Sequence, residues 1–317
     1  MLRPSYRRTA VSHSAVPRAA FSWAAFSWAA FPRAASSWAA LLLLLLLPAC
    51  APSPEAPAGE GEAASEPAAE GPAGPAIDLT AYEVVDLTHP FDENTVYWPT
   101  ATSGFELDEV AHGMTEGGFF YSANRFSAPE HGGTHLDAPI HFAEGKLTAD
   151  ALPLDRLMGP AAVIDVSEAA AADPDYLLTP EDVAAYEEEH GRVPEGAVVM
   201  LRTGWGERWG DRLRYLGDDT PGDASNLHFP SYGEAAARML VEERAAAVLG
   251  VDTASIDHGP STDFLAHRVA AAANVPGLEN VANLARLPPA GAWVVALPMK
   301  IAGGSGGPVR IIAFVPR

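Results

Sequence analysis

Short apolar runs rich in β-branched and aromatic residues recur along the chain from about residue 82 onward. They are YEVVDLT (82–88), FFYSANRF (119–126), AAVIDVS (161–167), GAVVMLR (196–202), AAAVLGVDT (245–253), AWVVALP (292–298) and VRIIAFV (309–315). Their length and composition predict strands. Between them lie segments with helical character. PEDVAAYEEEH (180–190) opens behind Thr179 as an N-cap, with Pro180 at the first helical position, and SYGEAAARMLVEERA (231–245) follows further on. Strands and helices alternate throughout this part, which predicts a single α/β domain over residues 78–317. No internal repeat interrupts it.

The chain before residue 78 has a different pattern. Residues 51–77 are almost entirely Ala, Pro, Glu, Gly and Ser, without an aromatic residue. Such a composition buries too little apolar surface to order itself and reads as a tether. Residues 1–50 carry Arg3, Arg7, Arg8, Arg18 and Arg33 ahead of the run Leu41–Leu47. The run is short for a permanent membrane span and reads as a signal peptide. Its end, LPAC (47–50), resembles the lipobox of bacterial lipoproteins. That resemblance implies an exported protein, lipid-anchored to the membrane through Cys50. Cys50 is also the only cysteine of the chain, so no intramolecular disulfide can form.

Charge narrows the partners. The formal net charge is −21, and because five of the 20 basic residues lie in the first 50 positions, 15 face 41 acidic residues in the remainder. Nothing in that balance supplies a basic surface for phosphates, so nucleic acid is excluded and a small-molecule partner is expected.

The chemistry concentrates in HGGTHLDAPIHF (131–142), which holds three of the chain's ten histidines and an aspartate. Gly132 and Gly133 argue against a helix here, which removes a helical zinc-protease reading. In an extended chain, side chains alternate faces. His131, His135 and Asp137, with His141 if the strand persists past Pro139, then point the same way. Imidazoles with a carboxylate form a ligand set for Zn or Mn, and the two glycines would let the backbone approach an ion or substrate.

The stretch resembles the signature His-x-Gly-Thr-His-x-Asp-x-Pro-x-His-Phe of the cyclase-like metal-dependent hydrolases, the family that includes bacterial kynurenine formamidase and isatin hydrolase. VVDLTHPFDENTVYWP (84–99), GVDTASID (250–257), LAHRVAAAANVPGLENVANL (265–284) and LPMKIAGGSGGPVRIIAFV (297–315) extend the similarity in order over nearly all of the domain. The resemblance implies the compact β/β/α, swivelling-domain-like fold of that family and a homodimer or tetramer. It implies that His131, His135, Asp137, His267 and Glu279 hold one or two divalent ions, with Asp137 and Glu279 bridging, and that His141 carries the proton. His258 is a rival ligand. Glu279 is expected in a turn after a helix.

The implied reaction is hydrolysis of a C–N amide bond in a small aromatic or cyclic substrate, of the arylformamidase or isatin hydrolase kind. A bound divalent ion lowers the pKa of its water to about 7 and polarises a carbonyl. With Cys50 outside the domain, acyl-enzyme chemistry on a cysteine is disfavoured. Two other readings share these residues: a non-catalytic metal- or solute-binding lipoprotein, and a cyclase or dehydratase acting on a polyketide-like compound.

Further positions are candidates for substrate contact. Trp98 either stacks on an aryl group or packs in the core. Phe119, Phe120 and Tyr121 are candidates for the same pocket, with at least one expected in the core. Arg202, at a strand end, either grips a substrate carboxylate or forms a structural ion pair. Asp252 is placed to orient a ligand or cap a helix. Two features depart from the formamidase pattern. Export separates this chain from cytoplasmic tryptophan breakdown to kynurenine, and GERWGDRLRYLGDDTPGDASN (206–226) reads as an insertion.

Overall fold

In the computed structural model, which describes residues 78–317, all seven apolar runs form strands. The signal-peptide and tether readings, with Cys50, lie outside the described residues. In chain order the elements are β1 (Tyr82–Asp86), β2 (Glu106–Met114), β3 (Phe120–Ser127), β4 (His135–Asp137), β5 (Met158–Asp165), α1 (Ser167–Ala172), β6 (Leu177–Leu178), α2 (Pro180–His190), β7 (Val198–Arg202), α3 (Arg212–Leu216), β8 (Ser231–Tyr232), α4 (Glu234–Arg238), β9 (Val248–Val251), α5 (Leu265–Ala272), β10 (Gly277–Glu279), β11 (Ala290–Pro298) and β12 (Gly306–Pro316).

Eight strands form one sheet in the order β1-β12-β11-β5-β7-β9-β10-β4, and a further pairing of β4 with β12 closes seven of them into a ring. The strands β5, β7, β9 and β10 run parallel, whereas β11, β12 and β4 join antiparallel. The length of β12 permits the closure. Its residues Gly306–Pro308 pair with β4, and Ile312–Pro316 pair with β1.

Alternation along the parallel strands builds two cores. Ala161, Val163, Val198, Met200 and Leu278 pack with Val294 and Ile311 across the ring. Their neighbours Ala162, Ile164, Val199, Leu201 and Leu249 face outward, onto Val183 and Tyr186 of α2, Ala236 and Ala237 of α4, and Ala266 and Ala270 of α5. The result is two layers of sheet under one layer of helix, a mixed α/β arrangement in the β/β/α order. Each fully buried Leu, Ile or Val in these layers contributes roughly 1.5–3 kcal/mol.

The cap of α2 is as the sequence predicts. Thr179 Oγ1 accepts from the Asp182 amide at 3.2 Å, Asp182 returns a carboxylate to the Thr179 amide at 2.8 Å, and Gly191 ends the helix with φ +87°. The second predicted helix is shorter than its pattern. It runs as α4 and then widens into a π-helical turn at Met239–Glu243.

The hairpin β2–β3 differs from expectation. Phe119, Phe120 and Tyr121 are 60%, 57% and 52% exposed, so none is a core residue. Both strands of the hairpin are exposed or half-buried throughout, with Leu107, Val110, Met114 and Phe126 also on the surface. Alternation marks a buried face only where another layer covers it, and here none of the described residues does.

Candidate metal centre and cavity

Strand β4 is flanked on both edges, and its register assembles the centre. His135 lies opposite Glu279 of β10, and Asp137 lies between Gly277 of β10 and Gly306 of β12. The small residues are required. A Cβ at Gly306 would stand 2.6 Å from the His131 ring and 2.5 Å from a backbone oxygen. His131 itself precedes the strand and enters through Gly132 (φ +151°) and Gly133 (φ +58°). These glycines serve a purpose different from the one the sequence suggested. Added Cβ atoms would lie 2.1 Å from the Tyr97 ring and 2.6 Å from the Phe91 ring, so the glycines admit aromatic side chains against the backbone.

The strand ends at Asp137, and Pro139–His141 form a 3-10 turn. His141 therefore reaches the cluster from a turn, with its ring stacked on His131 at 3.8 Å and 17°. Glu279 sits on β10 rather than in a turn, and α5 supplies His267.

Asp137 is the hub. One of its oxygens lies 2.6 Å from His131 Nδ1 and 3.1 Å from His135 Nε2, and the other lies 2.9 Å from His267 Nε2. Glu279 approaches His135 at 3.4 Å and His267 at 3.1 Å. His135, Asp137, His267 and Glu279 are all buried.

Partners behind each imidazole fix its orientation. His135 Nδ1 donates to the Gly133 carbonyl at 3.0 Å, and that carbonyl also accepts from Asn280 Nδ2 at 2.7 Å. Tyr215, fully buried, donates to Asn280 Oδ1 at 2.9 Å. His267 Nδ1 lies 2.6 Å from Asp257, which also accepts from the Ala266 and His267 amides at the start of α5. His131 Nε2 lies 2.8 Å from Ser305 Oγ, which donates to Glu130 at 2.6 Å.

Electrostatics show what the cluster demands. Burial alone would raise the Asp137 pKa, but the charge of His135 and hydrogen bonds from His131 and His267 hold it well below the carboxylate range. Burial would likewise depress His135, yet Asp137 and Glu279 raise it to about 9, and Asp137, Asp257 and Glu279 raise His267 well above the ordinary imidazole value against the same desolvation. The carboxylates call for positive charge, and protons on imidazole supply it when nothing else does. His135 Nε2 is nevertheless buried without a hydrogen bond, because the two carboxylates beside it lie out of line.

An unpartnered imidazole nitrogen aimed between two carboxylates is the donor geometry a divalent cation satisfies. Two groups of such donors occur among the described residues, His135–Asp137–Glu279 and His131–Asp137–His141, and Asp137 belongs to both. His258 and His267 belong to neither, but His267 Nε2 stands 2.9 Å from Asp137 and 3.1 Å from Glu279, whereas His258 is not among the cavity's walls. His141 differs from the other imidazoles. Desolvation, reinforced by the neighbouring imidazoles against the pull of Asp137, lowers its pKa to about 4, while one face of its ring stays open to the cavity.

That cavity, about 250 Å³, has the ligand groups at its base and Val96, Trp98, Phe142 and Phe264 among its walls. Trp98 is half-buried and meets Phe229 edge to face at 6.3 Å.

The sequence model of the family described as "Putative cyclase" matches residues 85–258, more than half of the chain. The chain belongs to this cyclase family. It is 36% identical over 245 residues to the isatin hydrolase of Roseibium aggregatum, covering 74% of this chain and 92% of that protein. It is 29% identical over 231 residues to the kynurenine formamidase of Salinibacter ruber, covering 72% and 96%. The crystal structure of an isatin hydrolase bound to the product analogue thioisatinate superposes with a TM-score of 0.68 at 34% identity, covering 75% of this chain and 94% of that one.

In this cyclase-family chain the structure brings His131, His135, Asp137, His141, His267, Glu279 and Trp98 to one cavity. Arg202 is not among its walls. Its guanidinium lies 2.5 Å from Asp165, its register partner on the parallel strand β5, so the structural ion pair is the arrangement present. Asp252 receives the Thr203 amide and hydroxyl and the Gly204 amide, capping the turn after β7.

Asp257, Ser305, Glu130 and Asn280 escaped the sequence reading. Asp257 stands ten residues before its imidazole, with a turn between, and Ser305 approaches His131 from β12's entry. No local pattern marks such partners.

Replacing Asp257 with Asn removes the charge behind His267 while keeping its shape. The variant is expected to bind Zn²⁺ or Mn²⁺ about 10–100-fold more weakly in equilibrium dialysis. Unchanged metal affinity would show that Asp257 serves only the start of α5.

Proposed function

We propose that this chain is a metal-dependent hydrolase that opens a C–N amide bond in a small, uncharged aromatic or cyclic substrate. The observation that carries this reading is the pair of donor groups sharing Asp137 in an aromatic-walled cavity, one of them including His141, whose pKa is lowered.

A divalent ion held by His131, His135, Asp137, His267 and Glu279 would supply Lewis acidity, acidifying water and polarising the scissile carbonyl. The chain's own residues do the rest. His141, neutral near pH 7, takes a proton from the attacking water, and as a strong conjugate acid it passes that proton to the leaving nitrogen. The C–N bond breaks, the acyl carbon gains the water's oxygen, and the products are a carboxylic acid and an amine. Asp257, Gly133 and Ser305 hold His267, His135 and His131 in orientation. Trp98, Phe142 and Phe264 exclude water and offer ring faces to an aryl group.

The walls also speak to substrate charge. No Arg or Lys among the described residues lines this cavity, and the carboxylates in it belong to the ligand groups. An amino-acid side arm, as in N-formylkynurenine, would find no partner for its carboxylate. A compact neutral lactam such as isatin fits better.

The test is turnover of both compounds by metal-loaded protein. We expect kcat/KM for isatin to exceed that for N-formylkynurenine by at least about tenfold, the difference one unpaired polar group makes. Equal or better turnover of N-formylkynurenine would overturn the substrate reading. Full metal occupancy with no turnover of aryl amides or lactams would favour a binding lipoprotein instead.

The metal is proposed to be Zn²⁺ or Mn²⁺, one or two per chain, which the mixed imidazole and carboxylate donors support. Export and lipid anchoring at Cys50 are proposed on the Leu41–Leu47 run and the LPAC stretch. A homo-oligomer is proposed on the β2–β3 hairpin, whose cross-strand pair Met114 and Phe120 is 70% and 57% exposed. Met114→Glu with Phe120→Glu is expected to shift the mass by light scattering to a smaller species. An unchanged mass would exclude the hairpin as the interface.

A further inference from the structure

Beyond Tyr215, which braces Asn280, the insertion-like segment 206–226 finds no use in the reaction, yet it carries Arg208, Arg212 and Arg214. In the structure it folds as a 3-10 turn at Trp205–Arg208 followed by α3. A cavity of about 380 Å³, separate from the metal centre, has Arg202, Arg208, Arg214, Ser167 and Thr203 in its walls.

Arg125, Arg202, Arg238, Arg244, Arg286 and Arg310 each have a carboxylate within salt-bridge distance. Seven other arginines among the described residues have none, and of these Arg208 and Arg214 share one cavity. Glu207 shares the wall, but it too forms no ion pair with a described residue.

Arg208 is held in place without an acid. Its guanidinium carbon lies over the Trp205 ring, 3.2 Å from the centroid, and Trp205 is buried with Nε1 donating to the Tyr215 carbonyl at 2.9 Å. One amino group reaches the Arg214 carbonyl only at 3.5 Å. Burial and the like charge of Arg214 both lower the Arg208 pKa. Two cations are thus kept side by side, one of them pinned, with their donor edges unused.

We propose that this cavity is a binding site for a small anion carrying two negative charges, gripped by Arg208 and Arg214 and flanked by Arg202 and the Ser167 hydroxyl. Guanidinium edges pair with oxyanions through two parallel hydrogen bonds, which fixes orientation as well as charge. Arg208 and Arg214 each present a guanidinium edge, so an anion with two charged ends or faces engages both where a monocarboxylate engages one. The site is independent of the hydrolase reading.

Isothermal titration of the full-length, metal-loaded protein with inorganic phosphate at about pH 8 tests the proposal, with succinate as a second dianion and acetate as the singly charged control. We expect one saturable phosphate site with a Kd at or below about 1 mM, and weaker binding of acetate. Succinate binding alongside phosphate would define a general dianion site, and phosphate alone a phosphate-specific one. Arg208→Gln and Arg214→Gln should each weaken phosphate by about tenfold or more.

Because phosphate can also bind a metal centre, the Asp137→Ala protein serves as the control, and it should retain the phosphate site. The proposal is overturned by any of three results: no saturable binding to about 10 mM phosphate, affinity unchanged in Arg214→Gln, or binding lost in Asp137→Ala. Arg214 is exposed, so its replacement tests the site even if Arg208→Gln disturbs the packing on Trp205.

Discussion

Replacing Asp137 with Ala is expected to empty the metal centre and abolish turnover together, with kcat/KM falling by at least about a thousandfold. The size of the effect follows from position. Asp137 is the residue shared by both donor groups, and its two oxygens serve His131, His135 and His267. Removing it takes an anionic donor from each group and leaves several imidazoles facing one another with Glu279, and Asp257 behind His267, to balance them. Metal by elemental mass spectrometry should drop to a small fraction of the wild-type content. The backbone should survive, because the register neighbours of Asp137 are glycines on both sides, so no cross-strand side chain rests on it. Glu279→Ala supplies the contrast. Glu279 belongs to the His135 group alone, so its loss should leave Asp137 with its imidazoles in place and lower metal content less than the loss of Asp137 does. An Asp137→Ala protein that kept its metal would refute the shared-ligand arrangement.

Much of this centre was legible in the linear chain because HGGTHLDAPIHF packs most of its donors into one stretch. What that stretch does in space was less legible. The strand holding His135 and Asp137 is three residues long, too short for alternation to announce it, and it exists because β10 and β12 pair on either side. His141 shares the cluster through a turn behind Pro139, not through strand periodicity. His267 and Glu279 carry no local sign of metal ligation, and only the family resemblance pointed to them. Their orientation depends on Asp257 and on the β4–β10 register, both products of the closed ring. The parallel strands β5, β7 and β9 could be read from their apolar runs, since both faces of each are covered. The hairpin strand β2 could not, because its polar, exposed sequence offers no buried face to recognise.

His141→Ala is expected to keep the metal of the His135–Asp137–Glu279 group and lose turnover by about 10²–10⁴-fold, the range a positioned proton carrier contributes. Its surroundings set it apart from the other imidazoles. His135 and His267 are buried against carboxylates that raise their pKa, whereas His141 presents a ring face to the cavity and desolvation lowers its pKa to about 4. A neutral imidazole is what a proton acceptor needs near pH 7. Its contact with the cluster is a stack on the His131 ring, so removing it leaves the hydrogen bonds of Asp137 in place. The loss should therefore fall mainly on kcat, with KM little changed, and added imidazole should restore part of the rate by entering the space beside His131. Metal content decides between two roles. If it falls in step with the rate, His141 is a third donor beside His131 and Asp137, and imidazole will then restore turnover only where it restores occupancy.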